Sequence, residues 1–290
     1  ATFLRSTALG LTFAGAAWAA DPSLDLVGPL SDYKIFVAEN TAQLVTDTEA
    51  LVAAIKAGVP VTAPALTLNR LCGSGVQAVA TAAMMVETGM ADVVVAGGVE
   101  SMSNVEHYTL AARGGVRMGD MVLHDRLSRG RVMSQPVERF GVITGMIETA
   151  ENLAKDYGIS REEADAFAVR SHQNAARAWA EGKFAEQLVP VTIPSRKGDP
   201  VVFDHDEGYR TDASMETLGK LAPIDLRRDP EAIVTAGNAS QQNDAAAACL
   251  VVAEDKLEEL GLTPMLWFGG WAAAGCDPSR MGIGPVPATR

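Results

Sequence analysis

Cys72 is the residue of this chain whose type and setting best suit it to chemistry. It stands in the run Leu68-Asn69-Arg70-Leu71-Cys72-Gly73-Ser74-Gly75. The β-prone stretch Pro64-Ala65-Leu66-Thr67-Leu68 precedes it, and Val76, Val79, Ala80, Ala83 and Met84 follow at helical spacing. A thiol between a strand and the first turn of a helix meets the positive end of the helix dipole and free backbone N–H groups, which favour the nucleophilic thiolate. The neighbouring glycines let a substrate carbonyl approach the backbone closely. An isolated cysteine at such a turn can equally be a small buried residue, so Cys72 by itself leaves both readings open.

The elements that must position Cys72 follow from the surrounding pattern. Residues 60 to about 104 give strand, helix, strand, an α/β layer with Cys72 at the carboxyl end of a strand, where such layers place ligands. Residues 105 to about 230 are less regular, broken by Gly114-Gly115, Gly119, Gly130 and Gly141. A helix then starts at Ser160, with Glu163 three residues on to complete a capping box. Ala246 to Val252 reads as a strand, and Glu254 to Leu260 as a helix stopped by Gly261.

The front of the chain reads differently. Arg5, the apolar stretch Ala8 to Trp18 and Ala17-Trp18-Ala19 match the pattern of a secretory leader. Leu30 to Gly58 predicts amphipathic helix, with Tyr33, Phe36, Val37, Leu44, Leu51 and Ile55 spaced by 3, 4 or 7. The expected divisions are a leader over 1–20, an unrelated helical segment over 21–58, a body over 59–264 and the start of a further domain over 265–290.

From about residue 57 to 290 the sequence resembles the thiolases, which make or cleave 3-ketoacyl-CoA. Four ordered motifs carry the resemblance. They are Leu68 to Ala80 with Ala91 to Ser103 behind it, Met146-Ile147-Glu148-Thr149-Ala150-Glu151-Asn152-Leu153 with Gly158 to Glu163, Val234 to Asp244, and Met281-Gly282-Ile283-Gly284-Pro285-Val286-Pro287-Ala288. The resemblance implies an incomplete α/β/α layered fold with a loop domain at about 105–230 that covers coenzyme A. It also implies two-step acyl transfer, with an acyl group carried on Cys72 and then passed to CoA or to a CoA-borne carbanion. By position, Met146 matches a substrate-pocket methionine, and Leu221, Ala236 and Ser240 match residues lining the pantetheine arm. Gly145-Met146-Ile147 and Asn243-Asp244-Ala245 depart from the family's usual His-Met-Gly and Asn-Asp-Gly, which bears on substrate preference. CoA enters as substrate, no cofactor or metal is implied, and the family fold when complete implies a homo-oligomer.

The Asn-Glu-Ala-Phe, Gly-His-Pro and Cys-x-Gly-Gly runs that thiolases carry after the last of these motifs are not among the 290 residues. None of His107, His124, His172 and His205 has the Gly-His-Pro context. Cys249, in the apolar run Ala245 to Ala253, reads as core, and Cys276 lacks the glycine context of the family's second cysteine. The expectation is a truncated or chimeric copy without substantial thiolytic turnover, its sheet short of strands before Pro60 and its last strand, within Met265 to Ala274, unsupported. Two other classes stay open: a non-enzymatic CoA-binding fragment, and a periplasmic binding protein defined by residues 1–58, which resemble the start of imelysin-like or iron-uptake helical domains.

Composition narrows the partners. A net charge of −12 over 290 residues disfavours nucleic acid and anionic membrane. A CoA phosphate would need a local basic patch, for which Arg113, Arg117, Arg126, Arg129 and Arg131 are candidates. Three cysteines do not make a disulfide framework and point to a reducing, cytoplasmic setting, against the periplasmic one that a leader would imply.

Overall fold

The structure is a computed structural model and describes residues 9–12, 33–39, 57–59, 62–141 and 145–290. The chain divides into two compact units. Unit 1 comprises Ala1–Ser103, Ala185–Asp204 and Asn243–Trp271, and unit 2 comprises Asn104–Phe184, His205–Gln242 and Ala272–Arg290.

Among the described residues, unit 1 has one sheet of six strands: β1 (Leu9–Thr12), β2 (Tyr33–Glu39), β3 (Ala65–Leu68), β4 (Val93–Ser101), β9 (Asp244–Ala253) and β10 (Leu266–Phe268), in the order β10-β1-β9-β4-β2-β3. β2 runs parallel to both β3 and β4, and the pairings β4–β9, β9–β1 and β1–β10 are antiparallel. Between β3 and β4 lies helix α1 (Ser74–Glu87), which buries Ala78, Ala82, Ala83 and Val86. These pack with Val94, Ala96, Cys249 and Val251 of the two central strands. The small alanine side chains let the helix sit close to the sheet, so the larger valines fill the space from the strand side. The opposite faces of β4 and β9 place Val93 and Val252 among Leu250, Leu257, Leu260 and Leu262. A strand covered on both faces must be apolar at successive positions, as Val93-Val94-Val95-Ala96 is. Gly97 answers a separate constraint: a Cβ there would lie 2.7 Å from the Ala247 carbonyl oxygen on β9. A short hairpin, β7 (Val191–Ile193) and β8 (Val201–Phe203), forms a second, two-stranded sheet.

Several expectations for the front and back of the chain are corrected here. Tyr33, Phe36 and Val37 do not form a helix; they lie in β2, between β3 and β4. Tyr-Lys-Ile-Phe-Val is rich in residues that favour extended backbone, and pairing on both sides outweighs an incidental helical spacing of three residues. Leu9 to Thr12, expected inside the apolar core of a leader, pair with Leu250 to Ala253 on one side and with Leu266 to Phe268 on the other. Residues 13–20 of that expected leader, and Leu44, Leu51 and Ile55 of the expected helix, lie outside the described residues. The sheet therefore does have strands before Pro60. The expected helix at Glu254 to Leu260 is a 3-10 turn over Glu254–Lys256 followed by turns, closed by Gly261 at φ +62°. The strand near the end of the chain is not alone either, since β10 extends the same sheet through β1.

Unit 2 is mainly helical. Two-residue strands β5 (His107–Tyr108) and β6 (His124–Asp125) pair antiparallel, and β6 leads into α2 (Arg126–Val132). Asp125 caps that helix by accepting from Leu127 and Ser128 N–H. A single turn, α3 (Val137–Phe140), precedes α4 (Met146–Tyr157), which ends at Gly158 with φ +64°. Helix α5 (Arg161–Ala180) starts with the predicted Ser160–Glu163 capping box and packs on α6 (Met215–Gly219). The 3-10 turn Pro278–Ile283 lies along α4. Asn152 Nδ2 donates to the Ser279 carbonyl at 2.9 Å, Arg280 Nε to Asp156 at 2.7 Å, and Gly282 N–H to Thr149 Oγ1 at 3.3 Å. A final short helix, α7 (Pro285–Thr289), follows that turn.

Two predictions follow from this packing. Val251 is fully buried between α1 and the sheet, so Val251→Ala should lower stability by about 2 kcal/mol, read as a shifted urea midpoint with unchanged slope. The second concerns pH. Arg280 holds the Asp156 carboxyl below its ordinary value, Lys155 does the same for Asp229, and the Ser160 N–H and hydroxyl do so for Glu163. A carboxyl depressed in the folded state contributes stability that is full above its unfolded value and is lost as pH falls through its folded value. The thermal midpoint should therefore drop between about pH 5 and pH 2, with a shallower drop in Arg280→Ala.

Candidate active site

Cys72 occupies the elbow between β3 and α1 and is exposed. The turn that delivers it is unusual. Leu71, immediately before the cysteine, has φ +50° and is the one non-glycine residue in the left-handed region among the described residues. That conformation costs a β-carbon-bearing residue about 1–2 kcal/mol, and local hydrogen bonds hold it in place. Asn69 Oδ1 accepts from Leu71 N–H at 2.6 Å. The buried Ser74 hydroxyl accepts from Arg70 N–H at 2.8 Å and donates to the Leu71 carbonyl at 2.7 Å. Gly73 N–H reaches back to the Arg70 carbonyl at 3.0 Å, and Ser74 N–H to that of Leu71 at 3.0 Å. Short backbone bonds thus close the elbow, and the thiol faces outward.

The other two cysteines have different surroundings. Cys249 is buried under α1, as its sequence context predicts, and burial pushes its thiol pKa up. Cys276 is exposed, its sulfur 3.9 Å from the Met281 carbonyl oxygen. The four histidines all belong to unit 2. His107 pairs across the short sheet with Asp125, and the His124 ring lies 5.8 Å from that of Tyr108. His172 Nδ1 accepts from Arg210 N–H at 3.1 Å, and His205 lies against Trp179 with ring centroids 4.2 Å apart. Among the described residues, no group of three His, Cys, Asp or Glu side chains could hold a metal ion.

Met146, Leu221, Ala236 and Ser240 are all exposed and all lie in unit 2. The structure brings Leu221 and the turn of Ala236 together. Ile224 N–H donates to the Val234 carbonyl at 2.9 Å, and a Cβ at Gly237 would lie 2.6 Å from Leu221 Cδ1 and 2.9 Å from Leu218 Cγ. Ser240 follows directly after Ala239 N–H closes that turn on the Thr235 carbonyl at 3.0 Å. Met146 begins α4 and stands as a separate exposed position. Of the candidate phosphate-binding arginines, Arg126 is committed to Glu106 at 2.5 Å, and Arg113 and Arg117 are exposed. Arg131 lies beside Gly145 and Glu148 at the start of α4.

Residues 33–255 match the family described as "Thiolase, N-terminal domain". The chain belongs to the thiolase family. The match begins well before residue 57, so residues 33–58, expected as an unrelated helical segment, are part of the thiolase region. The chain is 49% identical over 239 residues to an acetyl-CoA acetyltransferase of Chromobacterium violaceum, a match covering 82% of this chain and 59% of the relative. It is 46% identical over 239 residues to a beta-ketothiolase of Cupriavidus necator, covering 82% and 58%. The chain therefore spans somewhat more than half the length of these curated thiolases. Among solved structures, a Bacillus anthracis acetyl-CoA acetyltransferase superposes with a TM-score of 0.81 at 34% identity, over 98% of this chain and 75% of the other. Human mitochondrial 3-ketoacyl-CoA thiolase in complex with CoA gives 0.81 at 32% identity, over 98% and 74%. The layered α/β thiolase fold is thus shared across the chain.

Sequence reasoning missed the polar side chains that hold the turn of Ala236. The Glu151 carboxylate accepts from Ile233 N–H at 3.1 Å and from Val234 N–H at 2.8 Å, and Asn238 and Asp165 fasten the other end. Glu151 and Asn238 were visible within thiolase motifs, but nothing in their spacing tied them to one another. For Cys72 the environments make an ordering testable. In folded protein at neutral pH, brief iodoacetamide treatment followed by peptide mapping should label Cys72 fastest and Cys249 slowest; equal labelling of all three would contradict the assignment.

Proposed function

We propose that the chain performs the acyl-accepting step of a thiolase-type acyltransferase, with acyl-CoA as substrate and Cys72 as nucleophile. The observation that carries this reading is the exposed thiol at the β3–α1 elbow of a chain belonging to the thiolase family. The Cys72 thiolate adds to the thioester carbonyl carbon while backbone N–H groups stabilise the developing oxyanion. The carbon–sulfur bond to CoA then breaks, and CoA leaves as a thiolate that takes up a proton. The acyl group remains on Cys72 as a thioester, to be passed to CoA or to the carbanion of a second acyl-CoA. In this reading Leu221, Ala236 and Ser240 line the pantetheine arm, Met146 borders the acyl pocket, and residues 105 to about 230 form the loop domain.

The reading needs no cofactor beyond the CoA substrate. It assigns no nucleic acid or membrane partner, and no helix among the described residues is long and apolar enough to cross a membrane. Three free cysteines support a reducing, cytoplasmic setting. Association with further copies of the chain belongs to the same reading, supported by Leu66, Val76 and Val99 left exposed on unit 1.

The test is direct. Incubated with acetyl-CoA or acetoacetyl-CoA, the 290-residue chain should gain the mass of one acyl group on the peptide containing Cys72. Cys72→Ala should gain none, and Cys249→Ala should behave as wild type. Binding of CoA without any adduct would replace this reading with that of a non-catalytic CoA-binding fragment.

A further inference from the structure

We infer that Asp165, acting with Arg161 and Asn238, is a positioning residue that sets CoA affinity from beneath the surface. The inference rests on the reading of Leu221, Ala236 and Ser240 as the pantetheine-lining residues. Asp165 on α5 is 2% exposed, so its carboxylate is out of reach of a ligand on that surface. One oxygen accepts from Arg161 Nε at 2.7 Å and the other from Asn238 Nδ2 at 2.9 Å. Each of these partners holds one side of the proposed surface.

On the first side, Arg161 Nη2 donates to the carbonyls of Leu218 and Leu221 at 2.8 and 3.0 Å. The guanidinium thereby caps the end of α6 and fixes the backbone at Leu221. On the second side, the Asn238 amide can be placed in only one orientation. Its Oδ1 accepts from Thr235 N–H at 2.7 Å, so its Nδ2 faces Asp165 and the Ile233 carbonyl, the latter at 3.0 Å. The fully buried Thr235 returns two bonds through Oγ1, from Gly237 N–H at 3.1 Å and Asn238 N–H at 3.3 Å. Gly237 then lies directly against Leu221 and Leu218, where a Cβ would clash. A single hydrogen-bonded chain therefore runs from the Leu221 carbonyl through Arg161, Asp165 and Asn238 to the turn that presents Ala236. Position 238 must donate to Asp165 while accepting from Thr235, which an amide can do and a carboxylate cannot.

The chemistry of that chain defines the experiment. Asn238→Asp sets a carboxylate against the Asp165 carboxylate, and the exchanged pair Asp165→Asn with Asn238→Asp restores one acid and one amide beside Arg161. Calorimetry should show Asn238→Asp binding CoA about tenfold more weakly than wild type, a loss of about 1.4 kcal/mol. The acetyl-CoA concentration that half-saturates Cys72 acylation should rise by the same factor, while the saturating rate stays within about twofold. Amide exchange over residues 233–240 should accelerate, and the iodoacetamide rate at Cys72 should not change. The exchanged pair should recover part of the affinity, because it restores the bond between positions 165 and 238 but leaves the Ile233 carbonyl without its donor. Arg161→Lys, which keeps the charge but loses the fork to Leu218 and Leu221, should fall between wild type and Asn238→Asp. If Asn238→Asp binds CoA as wild type does, or if the exchanged pair binds no better than Asn238→Asp alone, the positioning role is overturned while the acyl-transfer reading stands. If wild-type chain binds no CoA, the functional reading itself falls and takes this inference with it.

Discussion

The pairing of β4 with β9 is the interaction on which the rest of unit 1 depends. The two strands lie more than 140 positions apart in sequence, yet they run antiparallel in unbroken register from Val93 opposite Val252 to Ser101 opposite Asp244. A long closed loop costs conformational entropy before its contacts repay it, so the join must be strong and specific. Its strength comes from burial on both faces, with Val94, Val251 and Val252 all at 0% exposure. Its specificity comes from shape: only glycine fits at position 97 against the Ala247 carbonyl. At the open end, Ser103 donates from both its N–H and its hydroxyl to Asp244, and these bonds hold the Asp244 carboxyl below its ordinary value. The chain thus leaves the sheet and returns to it through one fastened point.

With that join made, each unit solves its own positioning problem by a different physical route. In unit 1, a left-handed residue that would be unfavourable by itself is held by the asparagine and serine flanking Cys72, so the strand ends sharply and the thiol is presented outward. In unit 2, buried carboxylates do the equivalent work. Glu151 and Asp165 each take up backbone or side-chain donors that would otherwise be left unsatisfied around residues 233–238. A buried acid is tolerated there because every donor facing it is complementary, and removal of one partner would leave an uncompensated charge.

Much of this was legible in the residues. The Ser160–Glu163 box, the burial of Cys249, the strand over Ala246 to Val252 and the strand-to-helix setting of Cys72 all follow from local chemistry or short-range periodicity, and the structure has each of them. The failures share a cause. Tyr33 to Glu39 and Leu9 to Thr12 are short runs whose apolar residues suit more than one local structure, and only partners far along the chain decide between them. β2 is a strand because β3 and β4 flank it, and β1 because β9 and β10 do. Residues 254 to 260 go the other way, where helical spacing of Leu257 and Leu260 serves packing against Val93 and Val252 without a full helix forming.

The sequence by itself determined that this chain is a thiolase relative with a cysteine at a helix start, because motif, glycine placement and capping are written in neighbouring residues. What only the tertiary structure decided is which distant groups meet: the six-strand order, the left-handed turn before Cys72, and the Arg161–Asp165–Asn238 chain that links Leu221 to the turn of Ala236. Those depend on contacts between residues tens to hundreds of positions apart, whose pairing energy no local pattern encodes.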